Sequence, residues 1–189
     1  MDSSSRSNCG ITTPASTIAT ERLLLRRPTT ADAGPIFEEY AQDPDVTRFV
    51  SWKPHRQVET TAAYLREVLS AKEDTGPWFW VITSKGSDRP IGMIHAELHG
   101  HRFNVGYVLT KRCWGRGYMA EAVGPLVEWA LRQDRIHRVW AFCDIDNRAS
   151  ARVLEKLGMQ QEGILRRWFM HPNISEVPRD CYVYARVKQ

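Results

Sequence analysis

A strand, a glycine-flanked arginine and a helix follow one another between residues 102 and 133, and that junction constrains the fold more than any other part of the chain. "RFNVGYVLT" (102–110) has the β-branched and aromatic content of a strand, and "MAEAVGPLVEWALRQ" (119–133) carries apolar residues at helical spacing. Between them stand Gly115, Arg116 and Gly117. "RVWAFCDI" (138–145) then runs almost continuously apolar, as a strand buried on both faces does. A plain turn needs one glycine. Two, at the start of a helix, fit a loop whose backbone amides lie open to an anion, where unpaired N–H groups and the positive end of the helix dipole coincide. Lys111, Arg112 and Arg116 add positive charge. The spacing is not that of a P-loop, and the third glycine of a dinucleotide fingerprint falls on Ala120. The local pattern therefore leaves two readings open, a spare glycine in an ordinary connection and a phosphate cradle.

The rest of the chain supplies the neighbours of this junction. "RLLLRRP" (22–28) reads as a strand stopped by Pro28. "TTADAGPIFEEYAQ" (29–42) reads as a helix with Thr30 as N-cap, and "DPDVTRFVSWKPH" (43–55) as a loop. "VETTAAYLREVLSAKED" (58–74) predicts an amphipathic helix with Ala62, Leu65, Val68 and Leu69 on its apolar stripe. "PWFWVITSK" (77–85), "IGMIHAELHG" (91–100) and 102–110 form an antiparallel meander. "NRASARVLEKLG" (147–158) predicts a helix closed by Gly158, followed by strands at 159–170 and 179–188. The order β-α-α-β-β-β-α-β-α-β-β predicts an α/β fold on one mixed sheet, antiparallel early, with crossover helices late. Residues 1–19, rich in Ser and Thr, read as a disordered tail before a single domain over 20–189.

Composition narrows the function. A chain of 189 residues with 42% hydrophobic and 25% charged residues is long enough for a sizeable core. No apolar run reaches the ~18 residues of a membrane span, and no signal-peptide pattern opens the chain, so a cytoplasmic location is expected. Cys9, Cys113, Cys143 and Cys181 show no metal-ligand spacing, so no metal is expected. The net charge of +4 fits an anionic ligand, while the absence of a run of five basic residues argues against nucleic acid.

"WGRGYMAEAV" followed by an apolar strand and then "DIDNRASARVLEKLGM" resembles the GNAT superfamily of N-acetyltransferases, and more closely its RimJ/RimL-type branch. "ERLLLRRPTTADA" and "RDCYVYARV" fit the same branch, so the resemblance covers about residues 21 to 188. It implies acetyl-CoA as donor and a primary amine as acceptor, either a small molecule or a protein N-terminus, with transfer inside a ternary complex. Proteins of this superfamily are often homodimers; that no membrane or nucleic-acid partner is expected rests on the composition. In the superfamily loop Q/R-x-x-G-x-G/A, Trp114 stands at the first position, Gly117 at the central glycine and Met119 at the last, so two positions depart. The resemblance places the pyrophosphate on the amides of Gly115, Arg116, Gly117, Tyr118 and Met119, with Met119 large enough to crowd it, and the pantetheine arm along Val108, Leu109 and Thr110. An amide near Val108 or Leu109 would hold the thioester oxygen.

Asn147 and Ser150 form the second motif, N-x-x-S, whose own reading is a helix cap. The resemblance makes Asn147 a pantetheine partner and Ser150 the group beside the thioester sulfur. Relatives often use a tyrosine four residues further on, where this chain has Leu154. A glutamate that serves as base in many relatives lies two residues before Gly106-Tyr107, where Asn104 stands here. Acetyl transfer needs a neutral amine and a group to take its proton. His95 and Glu97, on one face of a strand, and Glu162, on a later strand, are the candidate bases. Trp52, in a proline-bearing loop, is the candidate acceptor contact. The rival reading, motivated by Asn104 and Leu154, is a CoA-binding module of the same fold with little or no transferase activity.

Overall fold

The computed structural model describes residues 11–71 and 76–189. Eight strands, β1 (Thr17–Ala19), β2 (Leu23–Arg26), β3 (Trp78–Ser84), β4 (Pro90–His99), β5 (Arg102–Leu109), β6 (Arg138–Asp144), β7 (Gln160–Phe169) and β8 (Arg179–Val187), form one sheet among the described residues. Their spatial order is β1-β2-β3-β4-β5-β6-β8-β7. The helices are α1 (Ala33–Ile36), α2 (Pro44–Thr47), α3 (Val58–Ser70), α4 (Tyr118–Arg132) and α5 (Arg148–Lys156). All neighbours pair antiparallel except β5 and β6, which the α4 crossover makes parallel. The expected mixed α/β sheet is therefore present.

Alternation of side chains divides the core into two layers. On β3, Trp78, Trp80 and Ile82 turn to one face, where Phe103, Leu126, Val139 and Leu154 complete the main core under α4 and α5. Val81 turns to the other face, with Met93, Leu65 of α3 and Tyr40. Two parts of the α3 stripe differ from expectation. Leu69 is exposed, and Thr61 is buried instead, its hydroxyl 2.7 Å from His55 Nδ1. Residues 72–74 of the expected helix lie outside the described residues. The helix expected over 29–42 is broken into a short 3-10 turn, α1 and a π-turn over Phe37–Ala41, and the 43–55 loop contains α2, which Asp43 caps by accepting from the Asp45 amide at 2.8 Å.

The expected disorder of residues 1–19 is corrected for 11–19, while residues 1–10 lie outside the described residues. Thr17–Ala19 pairs with Leu24–Arg26 as an edge strand, the Trp80 indole donates to the Ala15 carbonyl at 2.9 Å, and Ile11 and Ile18 pack on the main core. Three strand residues are too few for a readable period, so the pairing has to be found in space rather than in the pattern.

Candidate active site

The two parallel strands part almost as soon as they meet. β5 and β6 pair only over Arg102–Asn104 with Arg138–Trp140, while β5 continues to Leu109 on β4, and β6 to Asp144 on β8. A wedge opens between them, and the edge of β5 facing it has no strand partner. The direction of each backbone group follows from two bonds: Thr110 N–H donates to Ile91 O across the β4 side, and the Trp114 indole donates to Leu109 O on the wedge side at 2.8 Å. Backbone groups alternate along a strand, so Tyr107 and Leu109 present their amides to the wedge, whereas the Val108 amide faces β4. Of the two expected oxyanion donors, this geometry turns only Leu109 toward the cleft, and adds Tyr107.

Two cavities meet in the wedge. One, of about 540 Å³, is lined by Trp52, Phe79, His95, Asn104 and His171, among others; the second, of about 620 Å³, is lined by Leu109, Trp114, Gly115, Gly117, Arg152 and Lys156, among others. Tyr107, Val108, Asn147 and Ser150 line both.

At the mouth of the second cavity the glycine loop explains its own composition. Gly115 and Gly117 have φ of 73° and 78°, a region L side chains rarely occupy, and Gly117 is the N-cap of α4. The first-turn amides of α4 have no intrahelical acceptor and lie behind this loop. Arg22 buttresses it. Its guanidinium sits 4.4 Å from the Tyr118 ring centroid, donates to the Arg116 carbonyl at 3.1 Å and pairs with Glu121 in the first turn of α4. Met119, expected to crowd the cradle, is almost wholly buried in the main core, and it also lines the second cavity. The loop cations are also redistributed. Lys111 lines the cavity but is tied to Asp45, Arg112 is tied to Glu39, and Arg112 and Arg116 do not line it; Arg48 and, on α5, Arg152 and Lys156, not singled out in the sequence, line it as well.

At the junction of the cavities Ser150 Oγ lies 2.9 Å from the Tyr107 phenol. Burial holds that phenol well above its usual pKa, against the opposing bond from Ser150, so it is a neutral donor at physiological pH. Sequence reasoning missed Tyr107; the available signal was a tyrosine at an odd-numbered position of the strand bordering the glycine loop. Leu154 is fully buried in the main core, so a tyrosine's place in this cleft is filled from β5 and not from α5. Asn147 caps α5 by accepting from the Ser150 amide at 3.1 Å, and its Nδ2 makes no hydrogen bond among the described residues. The cap and the ligand-binding readings thus use different atoms of one side chain.

The three candidate bases are separated. His95 lines the first cavity and stacks on Phe79, with its Nε2 2.8 Å from Glu97; Glu97 in turn is 2.8 Å from Nε2 of His99, which is 55% exposed. These alternate residues of β4 form a chain from the cavity wall to solvent. Burial opposes the charge on Glu97, but the bonds from His99 and His95 outweigh it and hold its pKa below the usual range. Glu162 lies on β7, lines neither cavity and is bound by the Arg138 guanidinium, which lowers its pKa, so the fold sets it apart from the cleft that His95 lines. Asn104 Nδ2 donates to the Trp140 carbonyl at 3.2 Å, fastening the last paired position before the strands part. Trp52 lines the first cavity, and its carbonyl accepts from Asn173 at 2.7 Å. Among the described residues no cluster of three His, Cys, Asp or Glu side chains is placed to hold a metal ion.

The sheet is thus split by two diverging parallel strands, with an amide-rich helix start at one end and a hydroxyl pair at its centre. The chain matches the acetyltransferase (GNAT) domain family over residues 22–160 and belongs to that family. It is 30% identical over 174 residues, 90% of this chain and 96% of the relative, to the uncharacterized N-acetyltransferase YoaA of Bacillus subtilis. Among solved structures, a GNAT-family acetyltransferase from Bacillus anthracis superposes with a TM-score of 0.77 at 26% identity, covering 90% of this chain and 98% of that one. RimL, a ribosomal L7/L12 alpha-N-protein acetyltransferase in complex with coenzyme A, shares the fold at a TM-score of 0.79 and 18% identity, with 91% and 98% covered. No helix of the described residues is long and apolar enough to cross a membrane.

Proposed function

We propose that this N-acetyltransferase moves an acetyl group from acetyl-CoA to a primary amine by direct attack within a ternary complex. The observation that carries the reading is the wedge: an unpaired β5 edge that leads from the glycine loop to the Tyr107–Ser150 pair. In this reading the amides of Gly115 to Met119 bind the pyrophosphate, Arg152 and Lys156 supply positive charge, and Val108 to Thr110 with Asn147 flank the pantetheine arm. The amine nitrogen forms its bond to the thioester carbon, and the wedge-facing amides of Tyr107 and Leu109 receive the developing oxyanion. The C–S bond breaks, and the Ser150 and Tyr107 hydroxyls donate to the departing thiolate. His95 takes the amine proton and passes it through Glu97 and His99 to water.

The test is thermal unfolding with acetyl-CoA and, as a phosphate control, ATP. At a ligand concentration of 100 Kd the native state gains about 2.7 kcal/mol, a rise of roughly 5–10 °C for a chain of this size. No rise with acetyl-CoA, or an equal rise with ATP, sinks the reading. A rise without turnover on any amine supports the CoA-binding module instead.

Removal of the hydroxyl pair separates chemistry from binding. Ser150→Ala is expected to lower kcat about 100-fold with the KM for acetyl-CoA unchanged, and Tyr107→Phe to do the same. Because the two hydroxyls act as one unit, the double variant should lose little more than either single one. Steady-state kinetics checks this; wild-type kcat in Ser150→Ala would leave Ser150 as part of a helix start only.

A further inference from the structure

One short segment walls both cavities. Residues 48–52 follow the single turn of α2 and belong to no strand or helix. Asp45, Val46 and Arg48 line the second cavity, Val50, Ser51 and Trp52 line the first, and Phe49 lines both. Phe49 thus joins Tyr107 and Ser150 among the residues common to the two cavities. The Val50 amide donates to the Thr47 carbonyl at 3.2 Å, but that bond lies within the segment and does not fix it to the sheet. The ion pair of Lys111 with Asp45 holds the start of α2, and both partners are more than half exposed, so it contributes little.

The tie to the rest of the molecule comes from the other end of the chain. Asn173, in the loop between β7 and β8, donates from Nδ2 to the Thr47 carbonyl at 2.6 Å and to the Trp52 carbonyl at 2.7 Å. Both neighbours are acceptors, so the amide nitrogen and not its oxygen has to face them, and each of its two N–H bonds serves one carbonyl. Thr47 and Trp52 bracket residues 48–51, so one side chain pins both ends of the span that carries Phe49. The two sides of this bridge are themselves anchored. Thr47 is fully buried, and its hydroxyl donates to the Asp43 carbonyl at 2.9 Å. Across from it, the His171 ring packs against Phe49 and Phe169, with centroids 6.2 and 5.2 Å away. The His171 carbonyl accepts from the Ile174 and Ser175 amides at 2.9 and 3.1 Å, closing the turn that presents Asn173. Asn173 itself lines neither cavity.

We propose that Asn173 is a positioning residue for the transfer: by bridging the Thr47 and Trp52 carbonyls it sets the wall that the donor and acceptor cavities share. This rests on the transferase reading and adds to it a residue that touches neither substrate.

Hydrogen–deuterium exchange and calorimetric titration with acetyl-CoA, on wild type, Asn173→Ala, Asn173→Asp and Asn173→Gln, test it. Asn173→Ala removes both donors. Asn173→Asp keeps the size, removes both donors and sets a carboxylate against two carbonyl oxygens. Each should speed exchange over residues 47–52 at least about 10-fold, leave exchange in α4 unchanged, and raise the Kd for acetyl-CoA about 10-fold. Asn173→Gln keeps both N–H bonds on a longer stem and should stay within about 3-fold of wild type in both measurements, which traces the loss to the donors and not to a general folding defect. Exchange over 47–52 at the wild-type rate in Asn173→Asp overturns the inference. So does unchanged acetyl-CoA affinity in that variant, faster exchange throughout the chain, or Asn173→Gln behaving as Asn173→Ala does. Wild-type protein that binds acetyl-CoA alongside any of these results loses this inference alone; wild-type protein that does not bind acetyl-CoA loses the transferase reading and this inference with it.

Discussion

Gly117→Trp is expected to abolish the acetyl-CoA-dependent rise in Tm while leaving a folded protein. Two separate costs follow from the same position. At φ of 78° an L side chain is strained by about 1–2 kcal/mol, which lowers the unliganded Tm by roughly 2–8 °C. The second cost falls on binding alone. A Cβ at Gly117 meets only Arg22, at 3.7 Å, so the new ring has open space in front of the first-turn amides of α4, the space the phosphates need. Calorimetric titration with acetyl-CoA measures the second cost; circular dichroism and the melting curve measure the first. Retained acetyl-CoA affinity in a folded Gly117→Trp protein would remove the phosphate cradle from the mechanism.

Asp144→Asn should cost about 3 kcal/mol at neutral pH, and the cost should disappear in acid. The carboxylate is fully buried, and receives Arg179 and the Asp146 backbone N–H at 2.9 Å, so it holds the turn from β6 into α5, on which Asn147 and Ser150 stand. Loss of one partner of a buried pair typically costs 3–5 kcal/mol. The low end applies because Arg179 is partly exposed and keeps Asp146. Burial alone would raise the pKa of Asp144, but the bonds from Arg179 and from the Asp146 amide outweigh it and hold it below the usual value. The sign follows from that depression. The stabilisation is fully present above the unfolded carboxylate pKa of about 3.9 and is lost as pH falls through the lower folded value. Denaturant melts at pH 7 and at successively lower pH should show the gap between wild type and Asp144→Asn closing. A gap that stays constant with pH would mean the carboxylate charge is not what holds the turn.

Periodic patterns carried most of the fold. The alternation of Trp78, Trp80 and Ile82, the apolar run of β6 and the amphipathic α4 are each set by residues within a few positions of one another, so their burial is legible in one dimension. β1 was not, because three residues carry no period and their partner, β2, supplies the reason for the strand. Leu69 and Thr61 exchanged places for a related reason: the face α3 buries is chosen by what α1 and β4 present to it.

The candidate site divides along the same line. The sequence by itself determined the glycines that a positive φ requires, the N-x-x-S start of α5, and the order of strands that makes β5 and β6 parallel neighbours, because each is a property of local backbone or of chain connectivity. Tertiary structure alone decided where β5 and β6 part, that Tyr107 meets Ser150 from a strand 43 residues away, and that Glu162 is paired with Arg138 outside the cleft. These are contacts between side chains from different elements. Their strength depends on distance and burial, which have no counterpart in the spacing of letters along a chain.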